Sequence, residues 1–181
     1  MTHSAMTLFN YALKQPVDPA WYDQLFYRLS SYPVVPTTLI SLRAFVKCSE
    51  ANCGVPVEKM ETMFNLTLDN ETVSLSKQRI AEAETLYGSF AINTRGDFRK
   101  GNRLFTQAIA HSPRDTPYRQ NLINLLIAMG ELNEAEHQLE LFRTANTYGG
   151  NESIYQALQG SIDDARKQQT TSARLKPPSG S

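Results

Sequence analysis

The two cysteines are the residues for which the sequence leaves the fewest chemical roles open. Cys48 and Cys53 are the only cysteines of the chain, with four residues between them. A structural zinc site needs about four ligands, usually including a CxxC pair, and the histidines His3, His111 and His137 lie far away in sequence. A redox CxxC motif is absent as well. The alternatives that remain are a disulfide and a pair of reduced thiols.

The local sequence favours the disulfide. A straight helix would hold Cys48 and Cys53 too far apart to bond, but residues 49–52 are typical of a helix end that turns into a loop at Gly54. Closing so short a loop would contribute about 2 kcal/mol in the chain-entropy model. We therefore predict a Cys48–Cys53 disulfide, which implies an oxidising compartment. The alternative is two reduced cysteines in a cytosolic protein.

Basic residues are concentrated in the middle of the chain. Residues 77–119 contain eight basic and four acidic side chains, whereas residues 120–165 contain one basic and seven acidic side chains. On a helix Arg99 and Arg103 would share one face, with Arg95 just before a turn. One interpretation is a site for a phosphate, a lipid headgroup or an acidic partner, formed by Arg95, Arg99, Lys100 and Arg103. The other is a solvated helix face.

No pattern typical of catalysis occurs. The histidines have no acidic or nucleophilic neighbours in a motif, and no phosphate loop or dinucleotide fingerprint is present. The chain balances 18 basic residues against 18 acidic ones, which disfavours nucleic acid as a partner. We expect no catalytic residues, no metal and no cofactor, and hence a domain that is not an enzyme. An enzyme with a site assembled from scattered residues remains the less favoured alternative.

The elements that position these residues are helices. The chain has 181 residues, of which 41% are hydrophobic. This is enough apolar material for one compact domain or one repeat array. Apolar residues recur at spacings of three and four, and no apolar stretch reaches the roughly 18 residues that cross a bilayer. We expect that the first residues do not form a signal peptide, because no basic region followed by an apolar one occurs there. We predict an all-α fold of about eight or nine helices.

A repeat occupies the second half of the chain. Gly96-Asp97-Phe98 is matched by Gly130-Glu131-Leu132. The offset of about 34 residues is the period of tetratricopeptide repeats. Residues 82–143 resemble two such repeats, although the aromatic residue usual in the first helix is missing from the second. The residues at family positions are Gly96, Asp97, Phe98, Phe105, Ala108, Pro113, Leu122, Gly130, Ala135 and Leu139. The resemblance implies antiparallel helical hairpins in a short right-handed solenoid.

The repeats suggest how the chain is organised. We expect N-terminal helical hairpins with the Cys48–Cys53 loop in residues 1–73 and the repeats in residues 74–148. A capping helix would follow in residues 149–169, and a disordered tail in residues 170–181. The first helices of such repeats line a concave groove that commonly receives peptides, so a protein or peptide is the expected partner. The residues predicted to line this groove are Tyr87, Phe90, Asn93, Gln120 and Asn124. The alternative for Tyr87 and Phe90 is a place in the core.

A second resemblance concerns the whole chain. The segment from Leu42 to Cys48, Leu86-Tyr87-Gly88 and Gly96-Asp97 are similar to soluble C-terminal domains of bacterial O-antigen polymerase/ligase and lipid-linked-sugar glycosyltransferase membrane proteins. This resemblance implies a protein-interaction domain on the periplasmic side of the membrane, beside a membrane-embedded glycan enzyme. It carries none of that enzyme's catalytic residues onto this chain. The alternative is a cytosolic adaptor or chaperone that binds a peptide, and the oligomeric state stays open.

Overall fold

The computed structural model describes residues 35–51, 56–69, 75–145 and 151–175. These residues form seven α-helices and no strand, which confirms the all-α fold class. The helices predicted before residue 35 lie outside the described residues. The described helices are α1 (Val35–Ala51), α2 (Val57–Leu68), α3 (Lys77–Arg95), α4 (Phe98–His111), α5 (Thr116–Met129), α6 (Leu132–Ala145) and α7 (Glu152–Leu175).

Two glycines end the first helices of the repeats in the same way. Gly96 after α3 has φ 61° and Gly130 after α5 has φ 75°. Both values lie in the left-handed region that favours glycine. The next backbone N–H then donates back into the helix, from Asp97 to Ala91 O at 3.2 Å and from Glu131 to Leu126 O at 2.9 Å. The hairpin turns predicted from the repeat offset are therefore confirmed.

The chain divides into two compact units, Met1–His111 and Ser112–Ser181. In the first unit α3 packs along α4, while α1 and α2 cover α3. All four helices contribute to one core, and the expected boundary at residue 73 stays a prediction. The largest fully buried side chains of this unit are Leu42, Phe45, Met60, Phe64 and Phe90.

The second unit consists of α5, α6 and α7. α7 packs against both other helices and buries Leu158 and Ile162. The prediction of a disordered tail from Thr170 is wrong for residues 170–175, because α7 continues to Leu175. Nothing before Pro177 breaks a helix, and only the residue preceding a proline is disfavoured in helical geometry. Residues 176–181 lie outside the described residues.

Among the described helices, none combines the length and the apolar character needed to span a bilayer.

Candidate partner-binding surfaces

Two of the predicted groove residues belong to the core instead. Tyr87 is 4% exposed and Phe90 is fully buried. The Phe64 ring of α2 stacks on Tyr87 at 4.7 Å between centroids, and it lies 5.1 Å from Phe90. The prediction that Tyr87 and Phe90 line a groove is therefore wrong, because α2 covers this face of α3. The alternative, a place in the core between hairpins, is the observed one.

The other predicted groove residues are accessible. Asn93 is exposed on α3, in the first unit. Gln120 and Asn124, one turn apart on α5 of the second unit, line an open pocket of about 270 Å³ against α7. That Asn93 shares a groove with them stays a prediction.

This pocket in the second unit is lined only by uncharged groups. The α7 side contributes two hydroxyls, from Ser153 and Ser161, and three aliphatic side chains. An amide side chain carries both a hydrogen-bond donor and an acceptor, so Gln120 and Asn124 can bond both polar groups of a peptide unit. The remaining lining residues are Ile154, Ala157 and Leu158.

The predicted anion site is half neutralised by acids of α2. Arg95 Nη2 lies 3.1 Å from Glu58 Oε1 and 3.0 Å from Glu61 Oε2, and Lys100 Nζ lies 3.1 Å from Glu61 Oε1. Burial alone would lower the pKa of Lys100, but its hydrogen bonds to Tyr87 and Glu61 outweigh burial and raise it. Arg95 and Lys100 therefore already have acidic partners, and the interpretation of the four residues as one anion site stays a hypothesis.

Arg99 and Arg103 remain exposed on α4. Neither forms an ion pair with any described residue. The hypothesis of an anion site therefore rests on these two side chains, and the alternative of a solvated helix face stays open for them.

A buried acid–histidine pair joins α3 to α4. Glu84 is 5% exposed, and its Oε2 lies 2.8 Å from His111 Nδ1. Burial raises the pKa of Glu84, although the hydrogen bond and charge of His111 act in the opposite direction. Because 27 residues separate the two in sequence, no local motif revealed the pair. The available signal was an acid inside the buried stripe that runs from Ala81 to Ala91.

Arg119 on α5 is a second group that motifs did not reveal. It is half-buried, and its Nη1 donates to Gln138 Oε1 at 2.6 Å. Burial lowers the pKa of Arg119. The repeat pattern places an aromatic residue three positions before Leu122, and Arg119 stands there. The missing aromatic of the second repeat was therefore the available signal.

Cys48 is 1% exposed in α1. Cys53 lies outside the described residues, so the Cys48–Cys53 pairing stays a prediction. Within the described part of the chain, no group of three or more His, Cys, Asp or Glu side chains is placed to hold a metal ion.

These turns, hairpins and surfaces can be compared with known proteins. A family model for the tetratricopeptide repeat matches residues 94–162. The match runs from the end of α3 into α7 and supports a tetratricopeptide-repeat domain over this segment. No curated protein and no solved structure matches the chain. Tetratricopeptide repeats are typically non-enzymatic scaffolds that mediate protein–protein interactions and bind protein or peptide partners.

Proposed function

We propose that this chain is a non-enzymatic scaffold that binds a protein or peptide partner through the pocket between α5 and α7. The repeat match supports the class of function. The observation that carries the proposal is the lining of the pocket, in which Gln120 and Asn124 present amides opposite the hydroxyls and aliphatic side chains of α7.

The chemistry of the lining defines the segment that fits. Each peptide unit offers one N–H donor and one C=O acceptor, and Asn124 can engage both. Ile154, Ala157 and Leu158 offer an apolar surface to a side chain beside that unit. Because no charged residue lines the pocket, we expect the bound part of the partner to be an uncharged, extended segment.

A peptide-display selection on the folded chain tests this proposal. Peptides recovered from a random library would be measured by calorimetry against wild type and variants. Asn124→Ala should weaken binding about tenfold, since a net hydrogen bond contributes about 1 kcal/mol or slightly more. Ala157→Trp should abolish binding because the ring fills the pocket.

Asn65→Ala is the matched control. Asn65 is an exposed asparagine of α2, in the other compact unit, and its substitution should leave peptide affinity unchanged. Failure to recover any peptide, or unchanged affinity in both Asn124→Ala and Ala157→Trp, would contradict the proposal.

A more specific proposal concerns location. We propose that the domain works on the periplasmic side of a bacterial membrane, as an accessory part or partner of an envelope-glycan polymerase/ligase or glycosyltransferase. The support is the resemblance stated above and the predicted Cys48–Cys53 disulfide, since disulfides persist in oxidising compartments. The alternative, a cytosolic adaptor that binds a peptide, would keep its thiols reduced.

Thiol titration separates these two locations. Protein made in an oxidising compartment would be denatured and titrated with and without reductant. No free thiol before reduction and two afterwards would support the Cys48–Cys53 bond and the periplasmic proposal. Two free thiols before reduction would contradict the disulfide and leave the cytosolic adaptor as the favoured function.

A further inference from the structure

Arg119 is a half-buried cation that the described chain does not pair with an acid. Its side chain lies between α5 and α6 and donates to the neutral side-chain oxygen of Gln138 at 2.6 Å. No described carboxylate forms an ion pair with it. The intervening residues 146–150, which lie outside the described residues, include no acid in their sequence.

This arrangement differs from that of the other basic residue close to the core. Lys100 is also half-buried but has Glu61 as a partner, and the pKa of Lys100 is raised. The pKa of Arg119 is lowered instead, with burial as its cause and no carboxylate opposing it. Buried charges in proteins are normally paired, because removing a charge from water without compensation has a high free-energy cost.

The surroundings of Arg119 hold it in a defined orientation. Gln138 Nε2 donates to Glu134 Oε1 at 2.8 Å, which fixes the amide so that its oxygen faces Arg119. One guanidinium N–H is used in the bond to Gln138. A guanidinium has five N–H donors in a planar fork, and two parallel donors match the two oxygens of a carboxylate.

We propose that Arg119 is the receptor for a carboxylate group of the protein partner. The inference deepens the proposed function, on which it rests for the source of the carboxylate. Gln120 and Asn124 face α7, whereas Arg119 faces α6, so the partner would be held on two sides of α5. The partner segment would then combine an uncharged portion in the α5–α7 pocket with an acidic group at Arg119.

Acetate is a suitable first probe because it carries the carboxylate and little else. The Nε–Hε resonance of Arg119 would be followed by NMR during titration with sodium acetate, at ionic strength matched with sodium chloride. We expect a saturable shift of the Arg119 resonance and a weaker, non-saturating response of Arg99. Arg99 is exposed and unpaired among the described residues, so it reports non-specific attraction of anions.

The variants Arg119→Met and Arg119→Lys separate binding from a structural role. Arg119→Met removes the desolvation cost of a half-buried charge that no described acid compensates, and it keeps a side chain of similar length. We expect Arg119→Met to keep a urea midpoint equal to or above wild type and to lose the acetate response. Arg119→Lys should retain only part of the response because it lacks the planar fork.

Two results would overturn the inference. One is an Arg119 resonance that moves no more than that of Arg99. The other is an Arg119→Met variant that unfolds at lower urea and binds the selected peptides as wild type does, which would show a purely structural arginine.

The same experiments distinguish this inference from the proposed function. If peptides bind through the pocket and acetate leaves Arg119 unchanged, only the carboxylate receptor is refuted. If acetate binds and no peptide does, the proposed function fails and the anion site of Arg119 stands. If peptides bind through the pocket and acetate also binds Arg119, a selected peptide whose acidic residue is replaced by its amide should bind wild type about tenfold more weakly. The same replacement should leave binding to Arg119→Met unchanged.

Discussion

Replacing Gly88 by alanine should destabilise the first compact unit, although alanine is the better helix former. Gly88 is buried where α3 crosses α4. A Cβ at this position would lie 2.7 and 2.9 Å from two carbons of the Phe105 ring and 3.4 Å from the Gly101 carbonyl oxygen. The ring cannot move aside freely, because Phe105 is only 3% exposed.

The magnitude follows from two opposing effects. Alanine in a helix interior is favoured over glycine by about 1 kcal/mol. Forcing extra volume into a filled core typically costs about 1–3 kcal/mol. Since two contacts at Gly88 are shorter than van der Waals distance and involve a buried ring, we expect the packing effect to win by about 1 kcal/mol.

Gly160→Ala provides the matched control. Gly160 lies within α7, and a Cβ there would meet nothing within 4 Å. The same substitution should therefore stabilise the second unit by about 0.5–1 kcal/mol, from helix propensity alone. Urea unfolding followed by circular dichroism would measure both variants, each against the wild-type transition of its own unit.

A double-mutant cycle with Phe105→Leu identifies the contact responsible. The smaller side chain should make room for the methyl group added at position 88, so the double variant should be more stable than the two single effects predict. A Gly88→Ala variant that gains stability as Gly160→Ala does would refute the reasoning. So would a cycle without coupling, since it would mean that α3 and α4 do not approach as closely as described.

Two further predictions concern ionised side chains. Glu61→Ala should lower the unfolding free energy by about 1 kcal/mol, because it removes the carboxylate shared by Lys100 and Arg95. Glu58→Ala removes a side chain that is 75% exposed and should have a much smaller effect, so equal losses in urea unfolding would contradict this. Burial raises the pKa of Glu84 above 4.5, so its contribution to stability is complete below the unfolded pKa and is lost as pH rises through the folded pKa. Wild type should therefore lose stability relative to Glu84→Gln as pH rises from below 4.5 towards neutrality, and parallel pH profiles would exclude this linkage.

The parts of the fold that could be predicted depend on local signals. Gly96 and Gly130 indicated the two turns because glycine, which has no Cβ, adopts a positive φ without steric cost. The end of α7 was missed because polar residues 170–175 resemble a tail in composition, yet none of them breaks a helix.

The candidate sites were less predictable because they depend on contacts between distant segments. Arg95 and Lys100 looked free, and only the packing of α2 onto α3 brings Glu61 to them from 34 and 39 residues away. Tyr87 and Phe90 looked like groove residues for the same reason, since only the position of Phe64 on α2 shows that they are covered. Helix periodicity gives the face a residue lies on, but not which helix packs there.

The side chains available to a partner are those whose charge or hydrogen-bonding groups are not fully paired by other described residues. In the first unit, acids of α2 pair with Arg95 and Lys100, and His111 pairs with Glu84, so these side chains already have partners within the fold. In the second unit, the amides of Gln120 and Asn124 line an uncharged pocket. Among the described residues, the only hydrogen-bond acceptor of the Arg119 guanidinium is the neutral side-chain oxygen of Gln138. Arg119 links α5 to α6 through Gln138, but no described acid compensates its half-buried charge, and this is why we propose that a carboxylate of the partner does so.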